Sequence, residues 1–145
     1  MQIRTNKKGI ELIKEGEGCK LSTYRDGGGV FTIGYGHTGR HAYEGNSITK
    51  EEAEQIFEED LYNHEQDLLR LLKIELNEGQ FSAVMSLVFN IGATQFATSS
   101  LLKYLNESNF DSAANEFYKW IWDNGHKIQG LINRRDRERR LFLQL

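Results

Sequence analysis

Apolar positions along the chain follow two different periods. In residues 6–17, Ile10 and Ile13 mark one face at helical spacing, Asn6 stands where a cap is needed, and Gly16 and Gly18 mark the end. Residues 20–47 alternate instead. The segments KLSTYR, VFTIGYGH and a shorter piece near Ala42–Ser47, separated by DGGG and HTGRHAYEG, predict a small antiparallel sheet. From Ile48 onward the pattern is helical. Thr49 and Glu52 form a T-x-x-E capping box that opens a long helix to about Leu72. A second helix starts near Asn77, with Gln80 three residues on, and runs to about Ile91. It is apolar nearly all round (Phe81, Val84, Met85, Leu87, Val88, Phe89), which places it at the centre of the core. Further helices fit roughly 99–106, 110–123 and 133–143. The fold predicted is α+β within one domain, 1–145: a sheet lobe at about 18–48, a helical lobe at about 49–145 plus the N-terminal helix, and the long helix from Thr49 between them.

Composition narrows this picture. A chain of 145 residues buries roughly 68–70% of its unfolded surface, so it builds a core without staples. Net charge is −3, too mild for a general nucleic-acid binder. The single cysteine, Cys19, excludes an intramolecular disulfide framework and fits synthesis in a reducing compartment. No apolar run approaches the roughly 18 residues of a membrane span. The N-terminal MQIRTNKKGIELIK has no signal-peptide core, so synthesis in the cytosol is expected. Proline is absent, and seven of the 14 glycines fall between Gly16 and Gly36, where turns should therefore concentrate.

Helical geometry separates the acids near the N-terminus. At about 100° per residue, Glu17 lies in azimuth between Ile10 and Ile13, whereas Glu11 and Glu15 point away. Burial and the negative end of a helix both favour the protonated form of a carboxyl, and a general acid must carry a proton. The alternative is a helix frayed by Gly16, with Glu17 solvated, and azimuth alone does not decide between them. Asp26 opens the glycine turn, where Asp is also a favoured turn-former. Taken as a strand, VFTIGYGH puts Val30, Thr32, Gly34 and Gly36 on one face and Phe31, Ile33, Tyr35 and His37 on the other. The first face is nearly bare beyond Thr32, which suggests the floor of a cleft or simple relief of twist.

Glu17-Gly18, Leu21, Tyr24, Asp26 and Thr32-Ile33-Gly34-x-Gly36-His37 together resemble the active-site signature of the phage-type lysozymes, the endolysins of glycoside hydrolase family 24. The spacing Glu-x8-Asp-x5-Thr fits without a gap, and the resemblance continues in SITKEEAEQIFEEDL, FNIGATQFATSSLLKYLNESNFDSAANEF and GLINRRDRERRLF. It implies a lysozyme-like fold and hydrolysis of the β-1,4 bond between N-acetylmuramic acid and N-acetylglucosamine in peptidoglycan, with inversion. Glu17 would protonate the leaving oxygen, Asp26 would position or deprotonate a water, and Thr32 would help hold that water. Inverting sites hold their carboxyls about 6.5–9.5 Å apart. The triple glycine is looser than the mixed turn usual in the family, which puts the hold on Asp26 in question. A lytic transglycosylase and a non-catalytic wall-binding module are the rivals, and the retained Asp26 and the intact Glu17, Asp26 and Thr32 argue against them.

Other residues follow from pattern and resemblance together. Asp60 lies near Ala53, Ile56 and Phe57 on an apolar helix face and needs a partner, with His64 four residues on and His37 as candidates. The resemblance favours His37, which should then titrate above its ordinary value. Arg134, following a predicted cap at Asn133, matches an arginine beside the family's catalytic glutamate. Phe89 and Asn90 match a family segment that lines the cleft and binds substrate, and Asn90, polar inside an apolar helix, equally fits a satisfied core amide. The tail RRDRERR fits a solvated helix face, or attraction to anionic envelope surfaces, opposite the acidic EEAEQIFEED. The histidines lack HExxH spacing, GGG lacks a phosphate-loop lysine and no calcium loop follows Asp26, so no metal or cofactor is expected. The resemblance also implies a monomer that acts on the wall after a separate holin opens the membrane.

Overall fold

The computed structural model describes residues 2–145, which form two compact units: Glu17–Asn63, and the residues up to Gly16 together with His64–Leu145. The boundaries fall in α1 (Lys7–Glu17) and α2 (Lys50–Leu71).

The smaller unit holds a three-stranded antiparallel sheet of β1 (Lys20–Arg25), β2 (Phe31–Gly34) and β3 (His37–Thr38), in that order. Tyr24 pairs with Thr32, Arg25 with Phe31 and Ile33 with His37, and a register irregularity lies between Lys20 and Tyr24. VFTIGYGH is therefore not one strand. Gly34 (φ 64°) and Gly36 (φ 69°) adopt left-handed conformations that fold the chain back into a hairpin. The face assignment fails beyond Gly34, and Thr32 is only 2% exposed rather than laid on a bare surface. The piece near Ala42–Ser47 does not form a strand. It contributes one isolated bridge, Ser22 to Ser47, while the Thr23 and Ile48 N–H groups donate to the Asn46 and Leu21 carbonyls at 2.9 and 2.8 Å. The Thr49 capping box then starts α2: the Glu52 N–H donates to Thr49 Oγ1 and the Thr49 N–H to Glu52 Oε1, both at 3.1 Å.

In the larger unit the helix read as central is central. The eight residues from Phe81 to Val88 of α3 (Glu78–Ile91) are all buried, and Asn77 and Gln80 form the capping box. The Asn6 side chain accepts the Gly9 N–H at 2.9 Å to start α1. After α3 come α4 (Ala93–Ala97), α5 (Ser100–Asn106), α6 (Phe110–Glu116), a 3-10 turn at Phe117–Lys119, a hairpin of β4 (Trp122–Asp123) and β5 (His126–Lys127), and α7 (Gln129–Leu143). The helix predicted over 110–123 ends early because Asn124 and Gly125, with φ 49° and 79°, form the two-residue turn of that hairpin. α7 begins before Asn133, which is therefore no cap; its Oδ1 accepts from Gln129 Nε2 at 2.8 Å.

Packing of α7 on α3 also changes the meaning of the arginine run. Arg134 and Arg135 are buried with Glu138, and Arg135 Nε lies 2.7 Å from Glu138 Oε1. Ser86 Oγ donates to Glu138 Oε2 at 2.5 Å. Burial pushes the Glu138 carboxyl above the usual range, against the pull of Arg135 and Arg134. Arg137 and Arg140 pair with Glu15 and Asp136 at 2.8 and 3.1 Å. The run is thus no uniformly solvated face. A second buried acid, Glu65, was not singled out from the sequence. It accepts Arg4 Nε at 2.6 Å, and the Thr5 N–H and Thr5 Oγ1 at 2.7 Å each.

Candidate active site

Glu17 is the last residue of α1 and is half-buried. The buried face of the helix is Gly9, Leu12 and Ile13, with Ile10 half-buried, so the inward direction is turned from the Ile10–Ile13 face read from azimuth and Glu17 lies at its edge. Gly18 follows at φ 69°, the left-handed residue that ends a helix without a Cβ clash. The β2–β3 turn comes close against Glu17. A Cβ on Gly36 would overlap Glu17 Oε1 and lie 3.2 Å from its Cδ, so this position admits only glycine on two counts, space and φ.

Asp26 follows β1 directly and is held by backbone N–H groups. Its Oδ1 accepts the N–H groups of Gly28 and Val30, both at 2.9 Å. The Asp26 N–H donates to the Val30 carbonyl and the Gly29 N–H to the Asp26 carbonyl, again at 2.9 Å. The triple glycine is thus folded round the aspartate, with Gly29 at φ 80°, and it engages one carboxylate oxygen.

Thr32 lies one strand away, opposite Tyr24, and its hydroxyl donates to the Val30 carbonyl at 2.9 Å. With its proton directed there, the Thr32 oxygen presents lone pairs to any further partner. Burial first, then the charges of Glu17 and Asp26, raise the Tyr24 phenol above the ordinary value. Lys20 Nζ sits over its ring at 4.4 Å. Tyr24 was part of the quoted signature without a role, and Gly36 was read only as part of a bare strand.

The supporting candidates divide. His37 Nδ1 meets Asp60 Oδ2 at 2.7 Å and Nε2 meets the Arg40 carbonyl at 2.7 Å. Both partners are acceptors, so both ring nitrogens donate and the imidazolium is favoured. The bond to Asp60 is the main cause that lifts His37 above its ordinary value, against burial. His37 is thus the partner of Asp60 that the sequence favoured over His64. In the other unit, Phe89 is half-buried with its ring 5.1 Å from that of His64. Asn90 is exposed rather than a core amide, and its Oδ1 accepts from Arg135 Nη2 at 2.9 Å. Arg134 donates to the Ser86 carbonyl at 3.0 Å, and a Cβ on Gly16 would lie 2.6 Å from its Nη1. A cavity of about 840 Å³, lined by Lys7, Lys8, Glu78, Arg137, Arg140 and Gln144 among others, holds none of Glu17, Asp26 and Thr32.

A unit with a short antiparallel sheet, carrying an acid at a helix end and a second acid in a strand turn, in a chain that is otherwise helical, is the composition of lysozyme-type proteins. Comparison with known proteins gives the class its family. The phage lysozyme family matches residues 14–138, and the chain belongs to that family. It is 43% identical to the endolysin of Acyrthosiphon pisum secondary endosymbiont phage 1, covering 97% of this chain and 98% of that one. It is 42% identical to the endolysin of Salmonella phage P22, covering 99% of each. The endolysin of Bacillus phage B103 is 39% identical, and the chain spans 54% of its length. Among solved structures, a P22 lysozyme mutant superposes with a TM-score of 0.83 at 38% identity, covering 98% of this chain and 99% of that one. The muramidase domain of SpmX from Asticaccaulis excentricus superposes at 0.89 with 34% identity, with the same coverage.

Proposed function

We propose that this protein is an endolysin that hydrolyses the β-1,4 bond between N-acetylmuramic acid and N-acetylglucosamine in peptidoglycan, with inversion. The observation that carries the reading is that Asp26 has one oxygen fixed by two backbone N–H groups, in the same compact unit as Glu17, half-buried at the end of α1. Glu17, half-buried at the end of α1, gives its proton to the leaving glycosidic oxygen as the bond to C1 breaks. A water attacks C1 from the opposite face. Its proton goes to Asp26 Oδ2, since Oδ1 is engaged by Gly28 and Val30. Thr32, its own proton turned to Val30, accepts the water's other O–H and orients it. Developing oxocarbenium charge lies between two acids, one giving and one taking a proton, so the charge balance is kept.

Phe89 and Asn90 are assigned to glycan binding, and Arg134 to support of Glu17, on the family resemblance. The cell wall is the site of action, and a separate holin gives access to it. Any hold on anionic envelope surfaces falls to Arg137, Arg139 and Arg140, since Arg134 and Arg135 are buried. The reaction is tested on its product. Digested peptidoglycan is expected to end in a reducing sugar, which proton NMR at early times finds as the α anomer. A product lighter by one water, or an initial β anomer, would contradict hydrolysis with inversion.

A further inference from the structure

The turn that carries Asp26 is Gly27-Gly28-Gly29, the kind of segment that loses most conformational entropy on ordering. Asp26's own bonds close it from one side. From the other side, Arg25 Nη1 donates to the Gly29 carbonyl at 3.1 Å, across the turn's far end. The same guanidinium lies over the Phe31 ring, 4.2 Å from its centroid, and Arg25 and Phe31 are cross-strand partners in the sheet. One flat group thus stacks on the strand that leaves the turn and grips the turn's last carbonyl, while its own backbone immediately precedes Asp26. A lysine could supply the charge but neither the plane nor the fork.

We infer that Arg25 is a positioning residue for Asp26, holding the triple-glycine turn so that Asp26 Oδ2 stays aimed at the attacking water. The inference rests on the reading of Asp26 as the base. Arg25 touches neither substrate nor water in this role. Its loss lets the turn sample other conformers and lowers the fraction of protein with Asp26 in place, which is a loss in kcat. Gly27 offers an independent check: its φ is not left-handed and a Cβ there meets nothing within 4 Å. Alanine at that position stiffens the turn and meets no residue beyond its chain neighbours.

The test measures initial rates over a range of concentrations of solubilised peptidoglycan fragments for the wild type, Arg25→Ala, Arg25→Lys and Arg25→Ala with Gly27→Ala, with Glu17→Gln as control. Arg25→Ala is expected to lose roughly tenfold in kcat, with KM within about twofold, since small misplacements of a reacting group cost rates of this order. Arg25→Lys recovers only a minor part. The added Gly27→Ala change recovers about two- to fivefold, the ordering gain of a Gly→Ala replacement at a permissive site. An unchanged kcat, a loss confined to KM, or no recovery with Gly27→Ala would overturn the inference. An active Glu17→Gln control would instead overturn the reading of the site, whatever the Arg25 variants do.

Discussion

Single side chains in this protein are fixed less by their charge than by how their polar atoms are shared out. Asp26 gives one oxygen to two backbone N–H groups, and in the proposed reaction the other takes the water's proton. Thr32 gives its proton to Val30 and keeps its lone pairs. His37 gives both nitrogens to acceptors, which raises its proton affinity and sets the pH range in which it stabilises the fold. A group whose folded pKa is raised contributes stability that is fully present below its unfolded value, about 6.5, and lost as pH rises through the folded one. Asp60→Asn is therefore expected to destabilise the protein by about 1–2 kcal/mol near pH 6, the scale of a partly buried charge-assisted bond. The difference should shrink above that pH. Urea unfolding of both proteins across a pH series checks this, and a constant or absent difference would contradict it.

At the scale of elements, what the sequence shows plainly are the helix starts. Thr49-x-x-Glu52 and Asn77-x-x-Gln80 cap helices that begin where their side chains predict, because a cap is a bond between residues three apart. The central helix is legible for a similar reason, since eight buried residues in a row leave no polar face to misplace. VFTIGYGH misleads because alternation records side chains, and the turn is made by two glycines whose left-handed φ leaves no mark in the pattern. Asn124-Gly125 is a turn pair that makes a hairpin and cuts short the helical periodicity before it. The arginines of α7 look solvated because their partners, Ser86 and Asn90, lie on α3, far away in sequence. Glu65 escapes notice likewise, since the Arg4 and Thr5 donors that neutralise it come from about 60 residues earlier. Three donors converge on that fully buried carboxylate. Glu65→Gln, which turns an amide N–H₂ towards them, is expected to cost about 2–4 kcal/mol in urea unfolding. A loss below about 0.5 kcal/mol would show the cluster to be inert.

For the molecule as a whole, the smaller unit gathers every residue assigned to the bond-breaking step: Glu17 from the end of α1, Asp26 from the β1–β2 turn and Thr32 from β2. The sequence offers these three as candidates through the family resemblance, and one helix end, one strand and one tight turn separate them, all local in the chain. It did not reveal that Gly36 leaves room for Glu17, or that Arg25 grips the turn, because each of these depends on a hairpin closing. The central claim is that Glu17 is the proton donor and Asp26 the base. Turbidity clearing of purified peptidoglycan by the wild type, Glu17→Gln and Asp26→Asn, each shown to be folded by its thermal transition, tests it most directly. Loss of roughly a hundredfold or more in both variants is predicted, the scale of general acid–base catalysis. Clearing by a folded Glu17→Gln at the wild-type rate would contradict the account.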